Sequence, residues 1–323
     1  LRSAMYDTDA FCGMRLFQNA GDSAMRDPES IYNCSYLPVT DINSFCETMN
    51  LLGLGVGVGY SVEQTYVARL PQLTKLSRGL PAKQIVVEDS LYGWVDSLRE
   101  LLTSLFEGQR VAIDYSEIRP KGSPLYVRGG FASGPEPLMK CFERIQEIFG
   151  KRSRAGFLRT IDAHDVQCSI ASAIVSGGVR RAAMIALFDS WDNLMLGSKS
   201  GNWYETNLDR RFANNSIVIL DKWNQSQFDG FFKTMQESNS GEPGIFSRVA
   251  ANATRPVRRK AGFFGTNPCG EIALNPWQFC NLSIANVRST DGVIELKEKV
   301  RLATIWGTMQ ATYLTTVKST SRF

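Results

Sequence analysis

Glycine alternates with apolar residues through Gly53-Leu54-Gly55-Val56-Gly57-Val58-Gly59-Tyr60, and no other stretch limits the fold of this chain so tightly. The spacing has the look of a dinucleotide-binding fingerprint, but that device needs a strand before the glycines. Here a helical pattern precedes them. Ile42, Phe45, Met49 and Leu52 recur at helical spacing, with Asp41 as N-cap and Gly53 as stop. A Rossmann assignment is therefore weak. The glycines instead predict a strand or loop against which another backbone packs closely.

The rest of the chain alternates helices with short apolar strands. Leu91, Trp94, Val95, Leu98, Leu101, Leu102 and Leu105 form one stripe of a helix over 89–107, closed by Gly108. Val111–Tyr115, Ala183–Phe188 and Ser216–Leu220 read as strands, and residues 137–149 and 295–318 as helices. The stretch 121–137, rich in Gly, Pro and Ser, reads as a long loop of the functional kind. This order predicts an α/β fold with largely parallel strands.

A second motif carries chemistry: Asn267-Pro268-Cys269-Gly270-Glu271, followed by Phe279-Cys280-Asn281-Leu282. Pro268 disfavours helix and pushes Asn267 towards extended backbone. In an extended chain the amide, thiol and carboxylic acid would share one face, roughly 6–7 Å apart. A thiol beside a carboxylate suits paired hydrogen and proton transfer, with Cys280 as a second sulfur within a fold-back's reach. An inert cysteine in a Pro/Gly turn is the other reading of these five residues.

Seven cysteines without a C-x-x-C spacing argue against a secreted disulfide framework and a zinc ribbon. A single histidine, His164, argues against a His-based metal cage or a His-driven triad, and no metal site is expected. A reducing cytoplasm with functional thiols fits this usage. No apolar run approaches the ~18–20 residues of a membrane span, so no membrane partner is expected. The net charge of +4 is modest and scattered, which does not suggest nucleic-acid binding. Arg255, Arg258, Arg259 and Lys260 cluster before the cysteine motif, either to steer a polyanion such as a nucleotide or as a solvated loop.

Taken together, the motifs resemble a ribonucleotide reductase large chain, nearest to the adenosylcobalamin-dependent class II enzymes of the monomeric triphosphate-reducing type. In order they are Tyr32-Asn33-Cys34-Ser35-Tyr36, the glycine run, Val87-Glu88-Asp89-Ser90, Lys121-Gly122-Ser123-Pro124-Leu125 and Ala132-Ser133-Gly134-Pro135. Ser176-Gly177-Gly178-Val179-Arg180-Arg181, Ala213-Asn214-Asn215-Ser216, Gly241-Glu242-Pro243-Gly244 and the two cysteine motifs complete the series.

The resemblance implies a ten-stranded α/β barrel of two five-stranded halves, with a finger loop bearing the reactive cysteine. This chain corresponds to the first half and the finger loop: 1–64 and 111–323 as barrel, 65–110 as a helical insertion near an effector site. It begins at Leu1 and ends soon after a helical pattern, so it reads as a fragment or one piece of a split enzyme, with a complementary C-terminal polypeptide as partner.

By the same resemblance, adenosylcobalamin (cobalt) would place a radical on Cys269. Cys269 would take the 3′-hydrogen of a ribonucleotide, Glu271 would act as base, and Asn267 would bind the ribose hydroxyls. Cys34 and Cys280 would supply reducing equivalents and end as a disulfide, regenerated by a thioredoxin-like donor. Gly177, Gly178, Arg180 and Arg181 would form the loop relaying a deoxynucleotide effector, with Asp41, Asp89 and Arg119 as effector contacts. Cys12, Cys46, Cys141, Cys168 and His164 receive no role. A class I-type large chain with a separate radical-generating subunit and a non-catalytic half-barrel are the alternative expectations.

Overall fold

The computed structural model describes residues 1–75, 81–125, 130–152, 156–176, 183–312 and 322–323. The central elements are β1 (Cys34–Pro38), α1 (Ile42–Gly53), β2 (Gly57–Ser61), α2 (Leu91–Phe106), α3 (Glu136–Arg152) and α4 (Thr160–Ser176). They continue with β3 (Met184–Asp189), β4 (Ala213–Ile219), α5 (Gln225–Ser238) and β5 (Gly244–Ser247). A hairpin of β6 (Gly265–Thr266) and β7 (Ala273–Leu274) precedes β8 (Gln278–Cys280) and α6 (Val293–Gln310).

One six-stranded sheet organises the fold, in the order β8-β1-β2-β3-β4-β5. Strands β1 to β5 pair in parallel, and β8 joins β1 antiparallel. The α/β reading with a parallel-rich sheet therefore holds. The sheet has two edges among the described residues, at β8 and β5.

Local chemistry places the helices where the sequence puts them. The Asp41 carboxylate accepts a hydrogen bond from Ser44 N and caps α1. The Ser90 hydroxyl accepts from Gly93 N and caps α2, and Gly108 takes a φ of 70° just beyond its end. Strand β4 begins three residues before the predicted Ser216, because Asn214 and Asn215 pair with Ile185 and Ala186 in the ladder. Helix α6 starts at Val293, two residues before the predicted 295, and the predicted end of that helix lies outside the described residues.

Two apolar layers hold the sheet. On one face Val58, Tyr60, Met184, Ala186, Phe188 and Ile217 meet Phe45, Met49, Leu98, Leu101 and Phe142 of the helices. Each fully buried aliphatic or aromatic side chain of this kind contributes about 1.5–3 kcal/mol. On the other face Tyr36, Leu187 and Val218 pack beneath Ile272 and Leu274 of the hairpin arm and beside Phe246. That second face carries the site. Two small ladders flank the sheet: Ala10–Cys12 pairs antiparallel with Ser283–Ala285, and Lys83–Val86 parallel with Val111–Asp114. No described helix is long and apolar enough to cross a membrane.

Candidate active site

The cysteine motif forms the tip of a hairpin. Strands β6 and β7 pair antiparallel, with Thr266 opposite Ala273 and Gly265 opposite Leu274. Gly270 N donates to Asn267 O at 3.0 Å and Asn267 N to Ile272 O at 3.3 Å. Gly270 takes a φ of 88°. Asn, Pro and Gly at the first, second and fourth positions are favoured in a type I turn. The extended backbone expected through this motif is therefore replaced by a turn. Asn267 is wholly buried, whereas Cys269 and Glu271 are exposed. The turn, not strand alternation, brings these groups together.

The glycine run explains how the hairpin seats. A Cβ on Gly59 would lie 1.8 Å from the Thr266 carbonyl oxygen, and one on Gly57 would lie 2.9 Å from Pro268 Cγ. A Cβ on Gly265 would overlap the Tyr36 ring, at 2.0 Å from Cε2. Three missing side chains thus let the hairpin backbone lie directly on β1 and β2. This is the close backbone approach that the alternating glycines predict.

A buried ion pair fixes the root of the hairpin. Arg248 Nη1 and Nη2 each donate to Glu63 at 2.8 Å, and Arg248 Nε donates to Phe264 O at 2.8 Å. Both side chains are at most 5% exposed. Breaking such a pair costs about 3–5 kcal/mol because the remaining charge stays buried. Of the basic cluster, Arg259 braces the outer arm, donating to Ala273 O and to Gln278 Oε1. Arg255 bonds the Asn252 and Arg259 carbonyls. These two therefore have structural partners, while Arg258 and Lys260 are exposed. Sequence reasoning missed Glu63 and Arg248, because a lone acid and a lone arginine 185 positions apart carry no pattern.

The redox candidates meet across one ladder. Cys34 of β1 and Cys280 of β8 are register partners in the antiparallel pair. Directly opposed residues in such ladders have Cα atoms about 4.5–5.5 Å apart, within the span a disulfide bridges. Both thiols are free, with Cys34 half-buried and Cys280 buried. A hydrogen bond from Cys280 lowers the Cys34 pKa, and Asn267 adds to this by donating from Nδ2 at 3.8 Å. Cys280 is pushed up by the same contact and by burial. Cys269 is raised by desolvation, then by the charges of Glu271 and Cys34. Glu271 lies within electrostatic reach of all three sulfurs, and its charge acts to raise the pKa of each. A raised pKa keeps Cys269 as S–H at neutral pH.

Among the described residues no group of three or more His, Cys, Asp or Glu side chains is placed to hold a metal ion. His164 is buried in α4, hydrogen-bonded at 2.8 Å to the Tyr60 hydroxyl. Burial pushes its pKa down to about 3. It is a neutral core histidine. Cys168 lies beside it, 3.6 Å from Nε2.

A second feature lies on the helical side. A cavity of about 410 Å³ is lined by Asp89, Ser90, Tyr92, Trp94, Arg119 and Ser133, among others. Arg119 Nε donates to Asp89 at 2.6 Å within it. The structure thus joins two of the three predicted effector contacts. Asp41 is not with them: it caps α1 and pairs with Arg322 at 2.7 Å. Gly177, Gly178, Arg180 and Arg181 lie outside the described residues.

No protein-family model matches the chain. It is 31% identical over 269 residues to an adenosylcobalamin-dependent ribonucleoside-triphosphate reductase of Lactobacillus delbrueckii subsp. bulgaricus, a match covering 71% of this chain and 36% of that protein. A protein of the same name from Lactobacillus helveticus is 27% identical over 341 residues, covering 84% of this chain and 44% of its own. The crystal structure of a B12-dependent (class II) ribonucleotide reductase superposes with a TM-score of 0.78 and 23% identity, over 96% of this chain and 50% of that one. The chain spans half or less of the length of each protein it matches here. The resemblance read from the motifs is carried by both sequence and fold.

Proposed function

We propose that this chain is the thiyl-bearing part of an adenosylcobalamin-dependent ribonucleoside-triphosphate reductase, working with a second stretch of polypeptide that supplies the remainder of the site. One observation carries the reading: an exposed thiol and a carboxylate share a hairpin tip seated beside two opposed thiols. Removal of a ribose 2′-hydroxyl needs a hydrogen-atom abstractor, a base and two reducing equivalents, and these groups supply all three. Their donor set fits the cofactor, because Cys269 stands exposed as S–H where a radical arriving from outside can reach it. Adenosylcobalamin, when bound, would supply the radical chemistry that Cys269 needs.

The residues then divide the labour. Cys269, as thiyl, takes the substrate 3′-hydrogen and later returns it. Glu271 accepts the 3′-hydroxyl proton. The 2′-oxygen leaves as water with a proton from the Cys34 and Cys280 pair, which gives two electrons and ends as a disulfide. Asn267, fixed by its bond to Ile272 N, directs its amide donor to Cys34, and its assigned hold on the ribose hydroxyls is carried over from the resemblance. A thioredoxin-like dithiol restores the pair, and a deoxynucleotide effector occupies the Asp89–Arg119 cavity. The test reconstitutes this chain with the C-terminal half of a relative, adenosylcobalamin, a ribonucleoside triphosphate and a dithiol. Deoxynucleotide should form only with both polypeptides present and fall to background in Cys269→Ser. Product from the Cys269→Ser pair would sink the thiyl assignment.

A further inference from the structure

We infer that Cys34, held by Asn267, is the sulfur at which an external dithiol attacks the oxidised Cys34–Cys280 pair, with Cys280 as the departing sulfur. The inference rests on the proposed redox role of that pair and assigns its two members unequal parts.

Access distinguishes them first. Cys280 is 4% exposed beneath the hairpin, whereas Cys34 is only half-buried. Thiolate attack proceeds at the sulfur that can be reached, and the other sulfur leaves. Asn267 distinguishes them second. Its Oδ1 accepts from Ile272 N at 3.0 Å while its Nδ2 donates to Cys34 at 3.8 Å. The side chain is wholly buried, so the hairpin fixes the amide with its donor towards Cys34. Cys280 has no such donor from the hairpin among the described contacts.

The exchange balances as follows. One thiolate of the dithiol bonds to Cys34 Sγ, the Cys34–Cys280 bond breaks, and its electron pair leaves on Cys280, which takes a proton as it departs. The contact with Cys34 and burial raise the Cys280 pKa and disfavour it as a leaving thiolate, so access rather than leaving-group acidity selects Cys34 as the attacked sulfur. The second donor thiol loses its proton and attacks the donor sulfur of the mixed disulfide. Cys34 departs as thiolate, leaving the donor oxidised and both protein sulfurs reduced. Hydrogen bonds from Cys280 and Asn267 favour that departing thiolate, consistent with the lowered pKa of Cys34.

The experiment uses the whole chain carrying Cys269→Ser, which removes the exposed thiol; Cys12, Cys46, Cys141 and Cys168 are buried. The chain is oxidised with diamide, pulsed with glutathione, quenched with acid and mapped by peptide mass. The glutathione adduct should fall on Cys34 over Cys280 by about tenfold or more. Adduct mainly on Cys280, or equally on both, overturns the inference while leaving the redox pair in place. Failure of diamide to link Cys34 to Cys280 overturns the redox-pair reading and the inference with it. For Asn267, Asn267→Asp keeps the acceptor for Ile272 N and removes the donor to Cys34. The pH midpoint for Cys34 alkylation by iodoacetamide in the reduced chain should rise by about one unit or more, from the lost donor together with the added carboxylate charge, and Asn267→Ala, which removes the donor without adding a charge, should raise it in the same direction. An unmoved midpoint excludes Asn267 from the positioning role.

Discussion

Gly59 and Thr266 are in direct backbone contact: a methyl group on Gly59 would stand 1.8 Å from the Thr266 carbonyl oxygen. Gly59→Ala must therefore displace β6 or bend β2. We expect it to lower the unfolding free energy by about 1–3 kcal/mol, as overpacking does, and to speed hydrogen exchange in the hairpin. Gly230 in α5 is the control, since a Cβ there meets nothing within 4 Å. Gly230→Ala should raise stability by about 0.5–1 kcal/mol. Urea titrations of the two variants decide the matter, and a Gly59→Ala protein as stable as the parent refutes the packing.

The two opposed thiols should separate initiation from reduction. In the reconstituted enzyme, Cys34→Ser or Cys280→Ser should leave cofactor cleavage detectable while product is lost or diverted to free base. Normal multiple turnover of either variant with a dithiol donor would mean that the reducing pair lies elsewhere.

Glu47 should leave a mark on stability against pH. Burial pushes its carboxyl up to about 7, with Arg322 bonded to it acting in the opposite direction. An unfolded glutamate titrates near about 4.3. Between those values the folded protein holds a proton that the unfolded chain does not, so this group's contribution falls as pH rises from about 4.3 to about 7. Glu47→Gln removes the slope. Its stability relative to the parent should improve by up to about 3 kcal/mol from pH 4.5 to 7.5. A difference that stays flat across this window contradicts the buried acid.

The cavity beside α2 should bind a deoxynucleoside triphosphate. Arg119→Ala removes a cation lining it and frees Asp89 to repel phosphate. Charge-assisted hydrogen bonds are worth about 1.5–3 kcal/mol, so affinity should drop by about tenfold or more. Trp94 in the wall provides a fluorescence readout. Equal affinity in Arg119→Ala would place the effector elsewhere.

Much of this architecture was legible in the sequence, and the exceptions share a cause. Amphipathic α2 announced itself through one stripe of leucines, and Asp41 and Gly53 bounded α1 correctly. Helix α4 left no such trace, because Ile161, Ala163, Val166, Cys168, Ile170 and Ala171 are all buried and so no polar face marks the period. The glycine run gave the need for close packing but not its occupant, since Thr266 and Pro268 arrive some 200 residues later. Proline by itself favours extended backbone through the cysteine motif. Asn, Pro and Gly together specify a turn. Asp41 shows the limit at single residues: an acid can be identified by type, but which of its partners it meets depends on tertiary placement.

Strand β8 is three residues long and lies at the rim of the sheet, attached through its ladder to β1. Cys34 and Cys280 sit on those two strands, opposite one another. Oxidation of the pair would therefore act as a stitch along the hem of the sheet, and reduction would unpick it. The number of electrons on two sulfurs then sets how firmly the edge strand is fastened, so the chemical state of the site becomes readable as slowed or quickened amide exchange in β8.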